Sequence, residues 1–348
     1  FPEFGIYKMK TKIVYVVASL NDDIYMEQAI VSAWSARYYN PDCQIEMVCD
    51  QDTFSTLSSG IRAQYKALFN NIHVREFLPE QSMMERSRWL KTTLRNIIEG
   101  DYLYLDNDTV VCADLSYVDE FDFDLGMALD QNCEFSSFIF REAVIKRAVR
   151  LYSVDISNEP KYFNSGIAYV KDTSTTRDFY GTWHKIWYSK RFEKEGLKDQ
   201  SALAATNIKH DHLITEMSGD LNCQVMASIQ YLHTAKIMHY FNTLFTVGSA
   251  VNPFYGKSLF EYVKNYGITE EIQYKIINNK SLFSSPSMPV PREGAMLWRD
   301  YCKGKFVPSR LTKTQSFYAL GYLSSVHPKL FRKIETFFAW IICKRHHK

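Results

Sequence analysis

An excess of charge of either sign is missing from this 348-residue chain: 41 lysines and arginines face 39 aspartates and glutamates, for a formal net charge of +2. That excludes a protein gripping nucleic acid through overall positive charge, and no Lys/Arg stripe interleaved with aromatics runs along the sequence. Cysteine is sparse and unpatterned. Seven stand at Cys43, Cys49, Cys112, Cys133, Cys223, Cys302 and Cys343 without a CxxC pair. The odd number and the scatter argue against a disulfide framework and a zinc site and fit a reducing, cytoplasmic setting. No uninterrupted apolar run is long enough to span a bilayer. Met9-Lys-Thr-Lys12 leads straight into a strand pattern without a cleavage-site signature, so no secretory leader is expected there. Residues 1–8 precede this first methionine and stay outside the fold reading. Fourteen glycines and ten prolines are too few for a fibrous or low-complexity chain.

What is there is a chain able to bury a substantial core, with β-rich runs alternating with helical patterns. Ile13-Val-Tyr-Val-Val-Ala18 is apolar throughout, as in a strand buried on both faces of a parallel sheet. Helical spacing follows over 25–39, near 61–69 and over 87–98, with strands expected at 45–49, 72–77 and 101–105. Further strands are expected at 125–129, 166–170 and 237–241, and beyond Phe254 the pattern turns helical, punctuated by Ser285-Pro-Ser-Met-Pro-Val-Pro291. The expected fold is α/β, a Rossmann-like, mostly parallel sheet flanked by helices, with a helical C-terminal appendage.

The stretch Tyr102-Leu-Tyr-Leu-Asp106-Asn107-Asp108 ends an apolar strand in two aspartates. Ligands of open α/β sheets bind beyond the carboxyl ends of strands. Paired carboxylates repel unless a cation neutralises them, and hard oxygen ligands suit Mg²⁺ or Mn²⁺ beside substrate phosphates. The same residues also suit an ordinary strand-to-turn Asx motif. The first βα loop, Ser19-Leu-Asn-Asp22-Asp23, lacks the Gly-rich fingerprint of dinucleotide sites, so a dehydrogenase is not expected. Its acidic residues suit a helix N-cap equally well.

In order along 12–241, the chain resembles the retaining glycosyltransferases of family 8. The matching pieces are Val17-Ala-Ser-Leu-Asn-Asp-Asp23, Arg88, Leu-Tyr-Leu-Asp106-Asn-Asp108, Met127-Ala-Leu-Asp130, Tyr162-Phe-Asn-Ser-Gly166, Asp199-Gln200 and Ile237-Met-His239-Tyr240. The family includes bacterial lipopolysaccharide and polysaccharide sugar transferases and resembles glycogenin. The resemblance implies a GT-A fold over 9–254 and a metal-dependent transferase moving a hexose from a UDP-sugar to a glycan or lipid-linked acceptor. It implies Asp106, Asp108 and His239 as metal ligands, and imidazole among carboxylates favours Mn²⁺ over Mg²⁺. Ala18, Asp22, Tyr25, Arg88 and Asn107 would contact the nucleotide; Asp130, Asn164, Ser165 and Asp199 would grip the transferred sugar. Gln200, with Asp199 beside it, would lie at the reacting centre, on the anomeric carbon's face opposite the leaving group. A glutamine is a poor nucleophile where a double displacement needs a carboxylate, so front-face displacement is expected. Residue by residue, bland readings stand beside these: His239 as a core histidine, Tyr25 as a helix-face aromatic, Arg88 as an ion-paired arginine and Asn164-Ser-Gly166 as a turn.

One departure from the family is plain. Its metal-binding His is followed by Gly and Lys-Pro-Trp, the lysine touching the diphosphate, whereas His239 is followed by Tyr240-Phe-Asn and later by Gly248-Ser-Ala-Val-Asn252. Asn252 stands where the lysine is expected, with Lys257 as the nearby base. At the C-terminus, Leu330, Phe331, Ile334, Phe337, Phe338, Ile341 and Ile342 recur at helical spacing among Lys329, Arg332, Lys333, Lys344, Arg345 and Lys348. Such a basic amphipathic segment over 328–348 suits an anionic membrane surface, or docking on the catalytic domain, and 255–348 is read as a mostly helical acceptor or membrane-contact region. A sugar-nucleotide nucleotidyltransferase and a non-catalytic sugar-binding protein are the competing functions.

Overall fold

Because every residue from Ile13 to Val17 is apolar, strand β1 (Lys12–Val17) can occupy the middle of the sheet, and it is buried on both faces. The structure, a computed structural model, describes residues 9–225, 227–228, 230–241 and 252–282. The proline-rich 285–291 stretch and the basic segment 328–348 lie outside the described residues.

From β1 the chain runs through α1 (Tyr25–Tyr39), β2 (Ile45–Asp50), the short helices α2 (Gln51–Thr56) and α3 (Gly60–Ala63), β3 (Asn71–Arg75), α4 (Met83–Thr92) and β4 (Tyr102–Leu105). β3, β2, β1 and β4 pair in parallel in that order. Next come β5 (Thr109–Val111), β6 (Leu125–Leu129), α5 (Arg141–Tyr152), β7 (Phe163–Val170), α6 (Ser174–Lys190), α7 (Asp199–Lys209) and β8 (Thr215–Glu216). β7 inserts antiparallel between β4 and β6, and β8 pairs parallel with β6, completing seven strands in the order β3-β2-β1-β4-β7-β6-β8. β9 (Cys223–Gln224) and β10 (Ile237–His239) join β5 in a second sheet ordered β5-β10-β9. Helices α8 (Ser258–Tyr266) and α9 (Glu270–Ile277) follow. The expected α/β architecture, a mostly parallel sheet flanked by helices, is what the chain adopts.

Alternation along β1 sends Tyr15 and Val17 to one side and Val14 and Val16 to the other, giving each face its own core. One face packs α1 with Leu259, Phe260, Val263, Ile272 and Ile276 of α8 and α9; the other packs Leu90 and Leu94 with Phe179, Trp183 and Trp187. Helix α1 is buried almost all round because the small sheet covers its outer side. Ser32 Oγ bonds Tyr15 OH at 3.0 Å and Thr109 Oγ1 at 2.7 Å, and Ser35 Oγ accepts from the Val111 amide at 2.9 Å.

Two helices differ from expectation. α4 begins earlier than residue 87, since the Ser82 hydroxyl caps it by accepting from the Glu85 amide. It ends at Thr92, where Thr92 Oγ1 and Thr93 Oγ1 bond back to the Arg88 and Trp89 carbonyls at 2.9 and 2.8 Å and the chain tightens into a 3₁₀ turn over 94–96. The 61–69 stretch likewise splits into α3 and a 3₁₀ turn at 66–68.

Candidate active site

Three chain segments end at one place, and hydrogen bonds fix how they meet. The Asp106 amide donates to the Gly166 carbonyl at 2.7 Å, joining the end of β4 to the start of β7. β5 leaves Asp108 and pairs antiparallel with β10, placing Thr109 opposite His239, and the Tyr240 amide donates to the Asp108 carbonyl at 2.9 Å. Asp106, Asp108 and His239 thereby present ligand atoms all within 4.8 Å of one another.

The amide network around these residues sets their roles. Asn164 Nδ2 donates to Asp130 Oδ1 at 2.9 Å, which turns Asn164 Oδ1 towards the Gly166 amide and Asn222 Nδ2, at 2.9 and 3.0 Å. Asn222 Oδ1 is then the atom facing His239 Nδ1, at 2.9 Å, so that nitrogen carries the proton in the neutral ring. The other nitrogen, Nε2, points its lone pair at Asp108 Oδ1, 3.2 Å away. Two acceptors in that position need a proton or a cation between them. Burial pushes the Asp108 carboxyl up, but a proton placed on His239 Nε2, with its charge and hydrogen bond, the backbone bond of Asp108 and the Lys91 charge together hold it below the usual aspartate value.

Asp106, Asp108, Asp130 and Asp199 face two cations, Arg88 and Lys91, within this group of side chains. A carboxylate–imidazole donor set of this kind suits Mn²⁺ or Mg²⁺. Gly166 gives the cradle its room. A Cβ there would press on His239 Cε1 and sit 2.8 Å from both Asp106 Oδ2 and Asn164 Oδ1.

The residues expected to grip a sugar lie together beside this cradle. Ser165 Oγ donates to Asp199 Oδ2 at 3.3 Å, and Arg88 Nε is 3.2 Å from Asp199 Oδ1. Tyr25, the first residue of α1, is 39% exposed; burial, then the Asp23 and Asp108 carboxylates, raise its phenol above the usual tyrosine value against the Arg88 charge. Asn107 Oδ1 is buried and, among the described residues, has no hydrogen-bond partner. Ala18 is buried at the end of β1, and Asp22 is exposed on the loop that Asp23 closes by accepting from the Leu20 and Tyr25 amides. Gln200 is half-buried in α7 and lines a small recess with Tyr162, Phe163, Leu203 and Ile214; among the described residues it makes no hydrogen bond to the acidic cluster.

Solved structures similar to this chain are glycosyltransferases. The galactosyltransferase LgtC, solved with donor and acceptor sugar analogues, is 18% identical over 76% of this chain and 100% of its own, with a TM-score of 0.46. The glycosyltransferase GlyE of Streptococcus pneumoniae TIGR4 is 17% identical over 80% of this chain and 66% of its own, at 0.44. The bifunctional glycosyltransferase WbbM is 13% identical over 68% of this chain, which spans 46% of WbbM's length, at 0.45. No protein-family model and no curated protein matches the sequence. At such identities and TM-scores the likeness carries no argument, and function has to be argued from the site itself.

Four residues of the site carried no signal recognised in the sequence. Lys91 Nζ lies 3.1 Å from Asp106 Oδ1, and Tyr104 OH donates to the same oxygen. Burial, then the Asp106 charge, push the Tyr104 phenol well above the usual tyrosine value, so it stays a donor. Asn222 ends the 3₁₀ turn over 219–222, and its carbonyl accepts from Asn132 Nδ2 at 3.0 Å. Gln131 and Asn132 take left-handed φ of 58° and 51° to make that approach. Phe241, also left-handed at 50°, stacks on the His239 ring with centroids 4.0 Å apart. The i, i+3 spacing of Arg88 and Lys91 on one helix face could have revealed the lysine.

Asn252 and Lys257, the positions considered for a diphosphate contact, have other places. Asn252 is buried and caps the 253–255 turn by accepting from the Phe254 amide at 2.9 Å, while Lys257 is exposed ahead of α8.

Proposed function

We propose that this chain is a retaining, metal-dependent glycosyltransferase that moves a hexose from a UDP-sugar to a glycan or lipid-linked acceptor. The observation that carries the proposal is the Asp106–Asp108–His239 cradle at the carboxyl end of β4, set directly beside Asp130, Asn164 and Asp199. Asp106, Asp108 and His239 would hold Mn²⁺ or Mg²⁺, which when bound neutralises charge growing on the departing diphosphate.

The remaining work falls to this chain's own side chains. Asn107 Oδ1, buried and without a partner among the described residues, suits a ribose hydroxyl, and Tyr25, at the mouth of the first loop, suits the face of a pyrimidine. Ala18 and Asp22 complete the nucleotide contacts. Asp130, Asn164, Ser165 and Asp199 offer acceptors and donors to sugar hydroxyls, and Arg88 reaches the donor from α4. Gln200 follows Asp199 at the start of α7 and takes no nucleophilic part, in keeping with front-face displacement. An acceptor in lipopolysaccharide or polysaccharide assembly and peripheral attachment to the cytoplasmic membrane face through 328–348 belong to the same proposal; they are supported by the family resemblance and the basic amphipathic pattern. Among the described residues, no helix is long and apolar enough to cross a membrane.

The test is donor turnover across a panel of UDP- and GDP-sugars with Mn²⁺. Turnover of one UDP-hexose that chelation abolishes supports the proposal; no turnover of any sugar nucleotide sinks it.

A further inference from the structure

Lys91 is only 4% exposed, on α4, with its ammonium at the acidic centre. Nζ lies 3.1 Å from Asp106 Oδ1, 3.8 Å from Asp199 Oδ2 and 5.0 Å above the Tyr104 ring. A buried ammonium is costly unless paired, and so are two carboxylates brought together from separate strands and helices. Each side of this contact therefore keeps the other in place. Lys91 and Tyr104 both occupy Oδ1 of Asp106, which leaves Oδ2 on the side of Gly166 and His239.

We propose that Lys91 is a built-in counter-cation of the acidic centre. It ties Asp106, on the metal side, to Asp199, on the sugar side, before either ligand arrives. It also lowers the affinity of the cradle for a divalent ion by standing as a fixed positive charge beside it. Lys91 is thus a positioning residue that links the two halves of the site, and metal binding is set against a charge the protein supplies itself. The inference rests on the metal reading of Asp106 and Asp108.

Lys91→Met, Lys91→Arg and the double variant Lys91→Met/Asp106→Asn test it, by Mn²⁺ titration with electron paramagnetic resonance and by melting of the metal-free proteins. Removing a unit charge this close should tighten Mn²⁺ binding by Lys91→Met roughly tenfold or more. The metal-free variant should melt a few degrees lower, saturating Mn²⁺ should restore it, and Lys91→Arg should behave as the parent protein. Adding Asp106→Asn should recover metal-free melting, because the uncompensated repulsion is gone. Unchanged or weaker Mn²⁺ binding by folded Lys91→Met overturns the proposal, as does unchanged metal-free melting. If Lys91→Met does not fold, recovery in the double variant supports the counter-cation role and failure of both overturns it. If Mn²⁺ binds neither parent nor variant, the metal reading of the cradle fails; the tie between Asp106 and Asp199 is then decided by the two metal-free melting comparisons.

Discussion

The side-chain oxygen of Asn222 lies 2.9 Å from His239 Nδ1, and that contact decides which imidazole nitrogen faces Asp108. Its orientation is inherited through Asn164 from Asp130, so the Asp130 carboxylate fixes the tautomer of His239. Replacing Asn222 with Ala frees the ring and should weaken Mn²⁺ binding by roughly 10–100-fold. Asn222→Asp keeps an acceptor for Nδ1 but loses the donor to Asn164, and should cost less. Mn²⁺ titration of the two variants gives the order, and equal affinities would contradict it.

Asp106→Asn and Asp108→Asn are nearly isosteric and remove a charged ligand each. Both should lose Mn²⁺ binding and donor turnover while keeping the parent circular dichroism spectrum. His239→Ala should do the same damage more mildly. Parent-level turnover by either aspartate variant at limiting Mn²⁺ would separate the cradle from the chemistry.

Gly166→Ala tests space rather than charge. The new methyl would meet His239 and lie 2.8 Å from Asp106 Oδ2 and Asn164 Oδ1, forcing these groups apart. Overpacking of this kind costs about 1–3 kcal/mol, and here the yielding atoms include those of the proposed metal ligands Asp106 and His239. We expect Mn²⁺ binding to fall by more than the loss of melting temperature alone would suggest, measured side by side on the folded variant.

His184 gives the pH prediction. Its ring packs near Trp89, Trp187 and Tyr188 and its Nδ1 is 2.8 Å from Thr92 Oγ1. Burial, then the Arg191 charge, lower its pKa from 6.5. The unfolded chain therefore takes up the proton first, and stability present above about pH 6.5 is lost as the pH falls through and below that value. The melting temperature should drop between pH 7.5 and 5.5, and His184→Asn should flatten part of that drop. An identical slope in the variant would contradict the assignment.

Stereochemistry is checked directly. A UDP-α-hexose should give an α-linked product, read from the anomeric proton signal; a β-linkage would remove the chain from the retaining class.

The sheet was legible because Ile13–Val17 and Tyr102–Leu105 are apolar without a break. Asp106, Asp108 and His239 meet because β5 pairs with β10 in a second sheet, a contact between residues far apart in sequence that local patterns do not encode. Asn222 was illegible for the same reason: an isolated asparagine at the end of a short 3₁₀ turn shows no periodicity, and its worth lies in partners contributed by other strands. Lys91 was hidden differently. A lysine on an amphipathic helix ordinarily snorkels to water, whereas Lys91 turns inward over Tyr104 to reach Asp106. Asn252 illustrates the converse, since its place in the sequence suggested a ligand contact and its side chain closes a turn instead.

The antiparallel insertion of β7 beside β4 has a consequence for how such a site can diversify. One strand departs where its neighbour arrives, so Asp106 and Gly166 are pinned to each other by a main-chain bond rather than by loops of adjustable length. Insertions or deletions in the surrounding loops would leave the gap between Asp106 and the Asn164–Ser165 pair unchanged. Under the proposed function, new donor preferences in relatives of this architecture should therefore arise by exchanging side chains such as Asn164 and Ser165 within a fixed frame, while loop variation reshapes what approaches from outside.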